Sequence, residues 1–166
     1  MKVIYHCYGR AHSSVVASSL HLGKLPMEGK VRAELIMALP EFDLAQAEDW
    51  GEPYFMGRDE AANEVYILGL NSLAPVCVKA ILSLAGQLGQ ADQILLINTL
   101  PEIGLVTRVG GFISKKLGWP RIGKPLAAQG IIHALPRLRK LVRTVKKEII
   151  RKVQDGEEKD YHHYRW

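Results

Sequence analysis

Apolar and polar positions along the chain alternate between short strand-like runs and longer stretches with helical spacing. β-branched and aromatic runs predict strands near residues 2–8, 53–56, 64–70 and 93–98, of which the second is the weakest. Apolar residues at helical spacing predict helices over residues 14–22, 31–39, 72–88, 101–117 and about 126–153. This alternation predicts an α/β fold, a three-layer sandwich with a mostly parallel four-stranded sheet.

Two of the predicted helices bear on packing and partners. In the helix over 72–88, Val76, Ala80, Ile81, Leu84 and Ala85 keep helical spacing, which predicts a core helix. After Pro136, where a kink or restart is expected, the last helix carries an apolar stripe. Opposite the stripe the pattern predicts a basic face: Arg137, Arg139, Lys140, Arg143, Lys146, Lys147, Arg151 and Lys152. Residues 1–154 are predicted to form a single domain, and 155–166 a polar, flexible tail.

Composition and charge narrow the function classes. The 166 residues are 48% hydrophobic and carry a net charge of +5, and no stretch is apolar and long enough to span a membrane. Residues 1–100 hold 7 Lys and Arg against 11 Asp and Glu, whereas residues 101–166 hold 15 against 6. Nucleic acid, an anionic membrane and an acidic partner protein are therefore candidate partners of the basic end. Two distant cysteines and no signal-peptide pattern favour the cytoplasm.

The connection between the first strand and the first helix carries the candidate chemistry. It is Tyr8-Gly9-Arg10-Ala11-His12-Ser13, called the first loop below. Main-chain N–H groups at a helix start lack partners and lie at the positive end of the helix dipole, which predicts a site for a phosphate-type anion. We assign its binding residues to Gly9, Arg10, Ala11, His12, Ser13 and Ser14. Cys7 ends the strand at the mouth of this loop and is the candidate nucleophile or phosphate carrier.

Other residues near strand ends form a second tier. Asn98 and Thr99 follow a predicted strand, where ligands bind in open α/β sheets, and Asp59 could face the first loop from a neighbouring strand. The acidic residues around Trp50 are expected to form a solvated loop. The pattern predicts no metal site and no cofactor. A homodimer through Gly110-Gly111 or through the long last helix stays open.

Each loop residue also has a structural interpretation. Cys7 fits a buried strand position, Arg10 a solvated loop residue, and His12 and Ser13 helix-capping residues. His6 is expected on the opposite strand face from Cys7. The stretch can also be interpreted as a degenerate nucleotide P-loop, since Gly9 and Ser13-Ser14 fit its ends, but the phosphate-binding Lys is missing.

The pattern Cys7-x-Gly9-x-x-x-Ser13-Ser14 resembles the phosphate loop of low-molecular-weight protein tyrosine phosphatases. Ser13 stands where that family has its phosphate-binding Arg, and no Asp-Pro pair supplies its general acid. The loop also resembles that of the sugar phosphotransferase IIB components, which carry phosphate on Cys, although their Gly usually follows one residue later. These resemblances imply phosphate chemistry at Cys7.

A longer resemblance runs through YHCYGRAHSSVVASSLHLGKLP, GRDEAANEVYILGL and LLINTLPEIGLVTRVGGFISKKLG. Through these segments the chain resembles an uncharacterised domain-of-unknown-function family found in Firmicutes, many of them spore formers. It implies a bacterial cytosolic protein and brings no activity with it. The leading hypothesis is therefore an oxyanion-binding protein whose ligand is a phosphate-containing small molecule, and the alternative is a scaffold that acts through its basic helix.

Overall fold

The computed structural model describes residues 1–104, 106–107 and 119–163, with side chains at all of these except 120 and 155–163. The predicted helix over 101–117 lies mostly outside the described residues, as do Gly110 and Gly111. A short 3₁₀ turn, Leu100–Glu102, occupies its first residues.

Four strands form one sheet, as the sequence predicts. They are β1 (Lys2–Cys7), β2 (Tyr54–Arg58), β3 (Glu64–Gly69) and β4 (Ile94–Asn98), in the spatial order β2-β3-β1-β4. β1 pairs parallel with β3 and β4, whereas β2 pairs antiparallel with β3 at the edge. The prediction of an α/β fold with a mostly parallel sheet is confirmed.

Because β1, β3 and β4 are parallel, their last residues lie at one edge of the sheet, called the carboxyl edge below. Their first residues lie at the amino edge, where Lys2 pairs with Glu64 and with Ile94. Six strand residues separate the two edges by roughly 16 Å. The first loop follows Cys7 and therefore lies at the carboxyl edge.

Four helices cover the sheet: α1 (Ser13–His21), α2 (Ala33–Met37), α3 (Ala74–Gln87) and α4 (Pro120–His163). α1, α2 and α4 pack on one face and enclose the main core, whereas α3 packs on the other. All nine residues of α1 are buried. Four of them are serines, whose small side chains let α1 lie closely between the sheet and α4.

α4 is longer than predicted and continues across both Pro125 and Pro136. Its apolar stripe packs into the main core, where Leu138, Val142, Val145 and Ile149 are buried. The backbone stays helical to His163, through much of the predicted tail. No helix in the described part of the chain is both long enough and apolar enough to cross a membrane.

The prediction that α3 is a core helix is wrong for one side of it. Ile81 packs on the sheet and Ala85 is buried, but Val76, Ala80 and Leu84 are exposed. Helical spacing shows which residues share a side of a helix, and it does not show which side meets the sheet.

Candidate functional site

The carboxyl edge brings the ends of three strands under the first loop. The N–H of Leu70 donates to the carbonyl of Cys7, and that of Asn71 to the carbonyl of Tyr8, so the chain after β3 is fixed to the loop. Gly69 allows this approach: a Cβ there would lie 3.1 Å from the N of Arg10 and from the carbonyl carbon of Gly9. A larger residue at 69 would press on the loop backbone.

Cys7 faces the α1 side of the sheet, where its thiol is covered. The residue is 6% exposed, and its Sγ lies 3.1 Å from the Oγ of Ser14, in the first turn of α1. A hydroxyl at that distance can donate to a thiolate, whose negative charge it would stabilise. Cys7 and Ser14 both belong to the site predicted from the sequence, and the structure brings their side chains into contact.

Thr99 joins this group from β4. Its Oγ1 lies 2.9 Å from the Oγ of Ser13 and 3.0 Å from the carbonyl of His6, so its single hydrogen can serve either acceptor. Asn98 instead uses its Oδ1 to accept the N–H of Leu100, within its own turn. Of the two predicted β4 residues, the structure brings Thr99 to the first loop and leaves Asn98 outside it.

The main chain from Gly9 to Val15 presents a run of N–H groups that is unusual for a covered segment. Within the described chain, none of these seven groups donates a hydrogen bond to a protein acceptor; the first helical bond is Val16 N–H to the His12 carbonyl. Ala11, Ser13 and Ser14 are nevertheless buried. Donors at a helix start that lack a backbone partner are satisfied by water or by a ligand, so this run can donate hydrogen bonds to the oxygens of an anion.

Arg10 does not point its guanidinium into this run. Nη1 donates to the carbonyl of Glu52 at 3.0 Å, Nη2 pairs with Asp49 at 3.0 Å, and the group lies over the ring of Tyr54. Arg10 is buried and has a φ of 58°, a left-handed conformation that these contacts fix. The interpretation of Arg10 as a solvated loop residue is wrong: it joins the first loop to the segment before β2.

The side chain of His12 is also engaged by contacts within the protein. Its Nε2 donates to Asp43 Oδ1 at 2.9 Å, and its ring meets Phe42 edge-on. The Asp43 N–H donates to the Ala11 carbonyl, so Asp43 contacts the first loop through both its main chain and its carboxylate. Neither His12 nor Ser13 makes a side-chain capping bond to α1. Of the acidic residues expected to form a solvated loop, Glu48 and Glu52 are exposed, whereas the side chain of Asp43 is buried against His12. No local sequence signal pairs residues 12 and 43.

The aromatic side of the loop is formed by Trp50. Its ring meets Tyr8 edge-on, with 5.7 Å between the centroids. A Cβ on Gly9 would lie 3.6 Å from its Nε1, an ordinary contact, so space alone does not require glycine at position 9. The absence of a side chain at Gly9 instead keeps its N–H open to a ligand.

Asp59 lies at the amino edge, away from the first loop. Its carboxylate accepts hydrogen bonds from Asn63 and from His21 Nε2 at 3.0 Å. Because Nε2 donates, Nδ1 of a neutral His21 accepts the hydroxyl of Tyr5 at 2.7 Å. Asn63 also accepts from the Met1 amine. We call Tyr5, His21, Asp59 and Asn63 the amino-edge network.

Burial dominates the titration behaviour of this network. It lowers the pKa of His21, against the raising effect of Asp59, and it raises the pKa of Tyr5 far above its ordinary value. Burial also acts to raise the pKa of Asp59, but hydrogen bonds from Asn63 and His21 outweigh it and hold that pKa below its ordinary value. The network therefore keeps a neutral imidazole beside a carboxylate.

His6 lies at the carboxyl edge on the α3 side, as the strand alternation predicts. Its Nδ1 is buried and has no hydrogen-bond partner in the described chain, and burial lowers its pKa. Elsewhere, no three His, Cys, Asp or Glu side chains of the described residues are grouped so that they could hold a metal ion.

The basic face of α4 is largely occupied by contacts within the chain. Arg139 donates to the carbonyls of Pro26, Glu28 and Gly29, and Arg143 donates to that of Met27. Three further basic residues bond to the protein itself, namely Arg137 to the Glu102 carbonyl, Arg151 to Glu148 and Lys152 to Asp92. Five of the eight predicted basic residues thus have partners.

The chain matches the family described as "Protein of unknown function (DUF3189)" over residues 2–147, and it belongs to that family. The match includes the first loop, Cys7 and most of α4, and it confirms the resemblance to a domain-of-unknown-function family. No curated protein and no solved structure matches the chain.

Proposed function

We propose that this member of the DUF3189 family binds a phosphate-type oxyanion in the first loop, with Cys7 as nucleophile or phosphate carrier. The observation that carries the proposal is the run of N–H groups from Gly9 to Val15, which ends in the first turn of α1 and for which the described residues provide no acceptor. An oxyanion satisfies several such donors at once and is favoured by the helix dipole.

In this proposal the main chain of the first loop holds the anion, and the side chains of Arg10 and His12 do not. Arg10 and His12 are engaged with Asp49 and Asp43, so among the described residues of the loop the donors that remain are the main-chain amides and the hydroxyls of Ser13 and Ser14. In the covalent step, the Cys7 thiolate attacks phosphorus, the S–P bond forms, and the bond from phosphorus to the leaving oxygen breaks. The amides take up the negative charge of the transferred group.

The experiment is the pH dependence of Cys7 alkylation by iodoacetamide, read by mass spectrometry, with Cys77 as internal comparison. Both cysteines are free, and Cys77 lies on α3, outside the loop. We expect inorganic phosphate or sulfate to slow the alkylation of Cys7 across the pH range and to leave that of Cys77 unchanged. Ser14→Ala should weaken the protection of Cys7 by phosphate, because the loop loses a hydroxyl donor beside the thiol. Equal behaviour of the two cysteines, with or without oxyanion, would refute the site.

The scaffold alternative has weaker support, because most of the basic face of α4 is bonded within the chain. Lys140 and Lys147 are the exposed basic residues of that face for which the described chain provides no side-chain partner. If α4 binds nucleic acid or an acidic partner, Lys140→Glu with Lys147→Glu should abolish binding without loss of fold, and salt should weaken it.

The degenerate P-loop alternative predicts nucleotide binding without hydrolysis at the same amides. It is distinguished in the alkylation experiment, since ATP would then protect Cys7 at far lower concentration than phosphate does. We place the proposed activity in the cytoplasm, because two free cysteines suit a reducing compartment.

A further inference from the structure

α3 carries an apolar stripe that the described part of the chain leaves exposed. Its members on α3 are Val76, Ala80 and Leu84, and the two flanking cap residues Leu73 and Leu88 extend it; the spacing of three or four residues places them on one side of the helix. The four large side chains are 58% to 67% exposed. The neighbouring side of α3 packs on the sheet through Ala74, Cys77, Val78 and Ile81, so the stripe is additional to the core contact.

The stripe is nearly symmetric about Ala80. Val76 lies four residues before it and Leu84 four residues after it, whereas Leu73 and Leu88 lie seven and eight residues away. Two copies of α3 packed antiparallel about a two-fold axis at Ala80 would place Val76 opposite Leu84 and Leu73 opposite Leu88. The small side chain at the centre allows the two helices to approach closely. A surface that complements itself in this way is what an isologous interface requires.

Area and charge also favour a second copy as the occupant. The stripe exposes on the order of 500 Å² of apolar surface, so a pair would bury about 1,000 Å², the lower end of specific interfaces. Lys79 is the single charged residue between Leu73 and Leu88, and it lies about 100° around the helix from Ala80, at the rim. No buried charge would oppose the contact.

We infer that the chain forms a two-fold homodimer through the Leu73–Leu88 stripe of α3. Of the two dimer surfaces considered from the sequence, the apolar stripe of α4 is buried in the main core, and Gly110-Gly111 lies outside the described residues. α3 lies on the sheet face opposite to α1, so the dimer leaves the Cys7 side of the sheet free. The inference stands apart from anion binding, and either can fail without the other.

The first test is the mass of the full chain in solution, by sedimentation velocity over a concentration series. We expect a dimer that dissociates on dilution, and we expect Leu84→Glu to weaken association at least tenfold while the far-ultraviolet circular dichroism is unchanged. A monomer at all concentrations up to about 1 mM would overturn the inference, and so would a dimer that Leu84→Glu leaves intact.

The second test locates the axis by oxidation of an introduced cysteine in a Cys77→Ser background. Ala80→Cys would place the two thiols beside the axis, within reach of a disulfide, and a covalent dimer should form rapidly. The matched control is Lys79→Cys, one residue away but turned toward the rim, which should cross-link at least tenfold more slowly. Equal cross-linking of the two variants would overturn the proposed geometry.

Discussion

Each edge of the sheet contains a histidine paired with an aspartate, but the two edges differ in how many of their polar groups have hydrogen-bond partners. At the amino edge, Tyr5, His21 and Asp59 satisfy one another, and Asn63 completes the set. At the carboxyl edge, His12 is paired with Asp43, yet the described residues provide no acceptor for the loop amides beside it. A closed network of this kind adds stability, whereas unpaired donors are available to a ligand. The contrast separates a structural histidine from a loop that can bind.

The largest effect should come from opening the closed network. His21→Leu removes the donor to Asp59 and the acceptor of the Tyr5 hydroxyl, both inside the protein. We expect a loss of about 3 kcal/mol in the free energy of unfolding, because one charge and one hydroxyl lose a buried partner. Urea denaturation followed by circular dichroism measures it.

His12→Leu is the matched variant at the carboxyl edge. Its side chain is 13% exposed, whereas that of His21 is fully covered, so water can partly replace the lost contact. We expect a loss of about 1 to 2 kcal/mol. Equal losses for the two variants would show that the edges do not differ in this respect.

A smaller loss is expected where the chain closes on the first loop. In Gly69→Ala, the new Cβ lies 3.1 Å from backbone atoms of Gly9 and Arg10. We expect a loss of about 1 to 2 kcal/mol and weaker protection of Cys7 by phosphate, since the loop backbone must shift. The control is Gly86→Ala on α3, where a Cβ meets no atom within 4 Å; its free energy of unfolding should rise by up to about 1 kcal/mol. Unchanged protection in Gly69→Ala would mean that the loop geometry does not hold the anion.

Acid should lower the free energy of unfolding because two histidines are buried. Burial lowers the pKa of His21 and of His6, so the unfolded chain takes up protons near pH 6.5 that the folded chain does not accept until lower pH. The contribution of these two histidines to the unfolding free energy should therefore be constant above about pH 7. Below about pH 6.5 it should fall by up to ~1.4 kcal/mol per pH unit for each histidine.

Denaturation at a series of pH values checks this. His21→Gln should reduce the slope between pH 6.5 and 5, whereas His133→Gln, at an exposed position of α4, should leave it unchanged. A slope that His21→Gln does not alter would assign the acid sensitivity to other groups.

The strands were predictable because their signal is local. Runs such as Val3 to Cys7 and Val65 to Leu68 are apolar and β-branched or aromatic, and the structure places all four strands within about two residues of the predicted ends. The first loop was predictable for the same reason, since strand, glycine and helix start follow one another in the chain. The uncovered side of α3 was not, because helical spacing does not say which side meets the sheet.

The partners of the loop residues could not be predicted. Arg10 and Asp49, His12 and Asp43, and His21 and Asp59 are each separated by more than 30 residues, and a single sequence contains no pairing signal between them. From the sequence, Asp59 was a candidate to face the first loop if β1 and β3 were neighbours, and they are. The parallel register instead places the turn before β3 at the amino edge.

The smallest effect concerns backbone strain, which both edges contain. Ala62 has a φ of 60° in the turn before β3, much as Arg10 has 58° in the first loop. Ala62→Gly should raise the free energy of unfolding by about 0.5 kcal/mol, because relief of the left-handed conformation slightly exceeds the added entropy of the unfolded chain. Arg10→Gly relieves the same strain but breaks the bonds to Glu52 and Asp49, so it should destabilise the protein. Thermal unfolding measures both variants. If both unfold at a higher temperature than the unchanged protein, the contacts of Arg10 stabilise the protein by less than its strained backbone destabilises it.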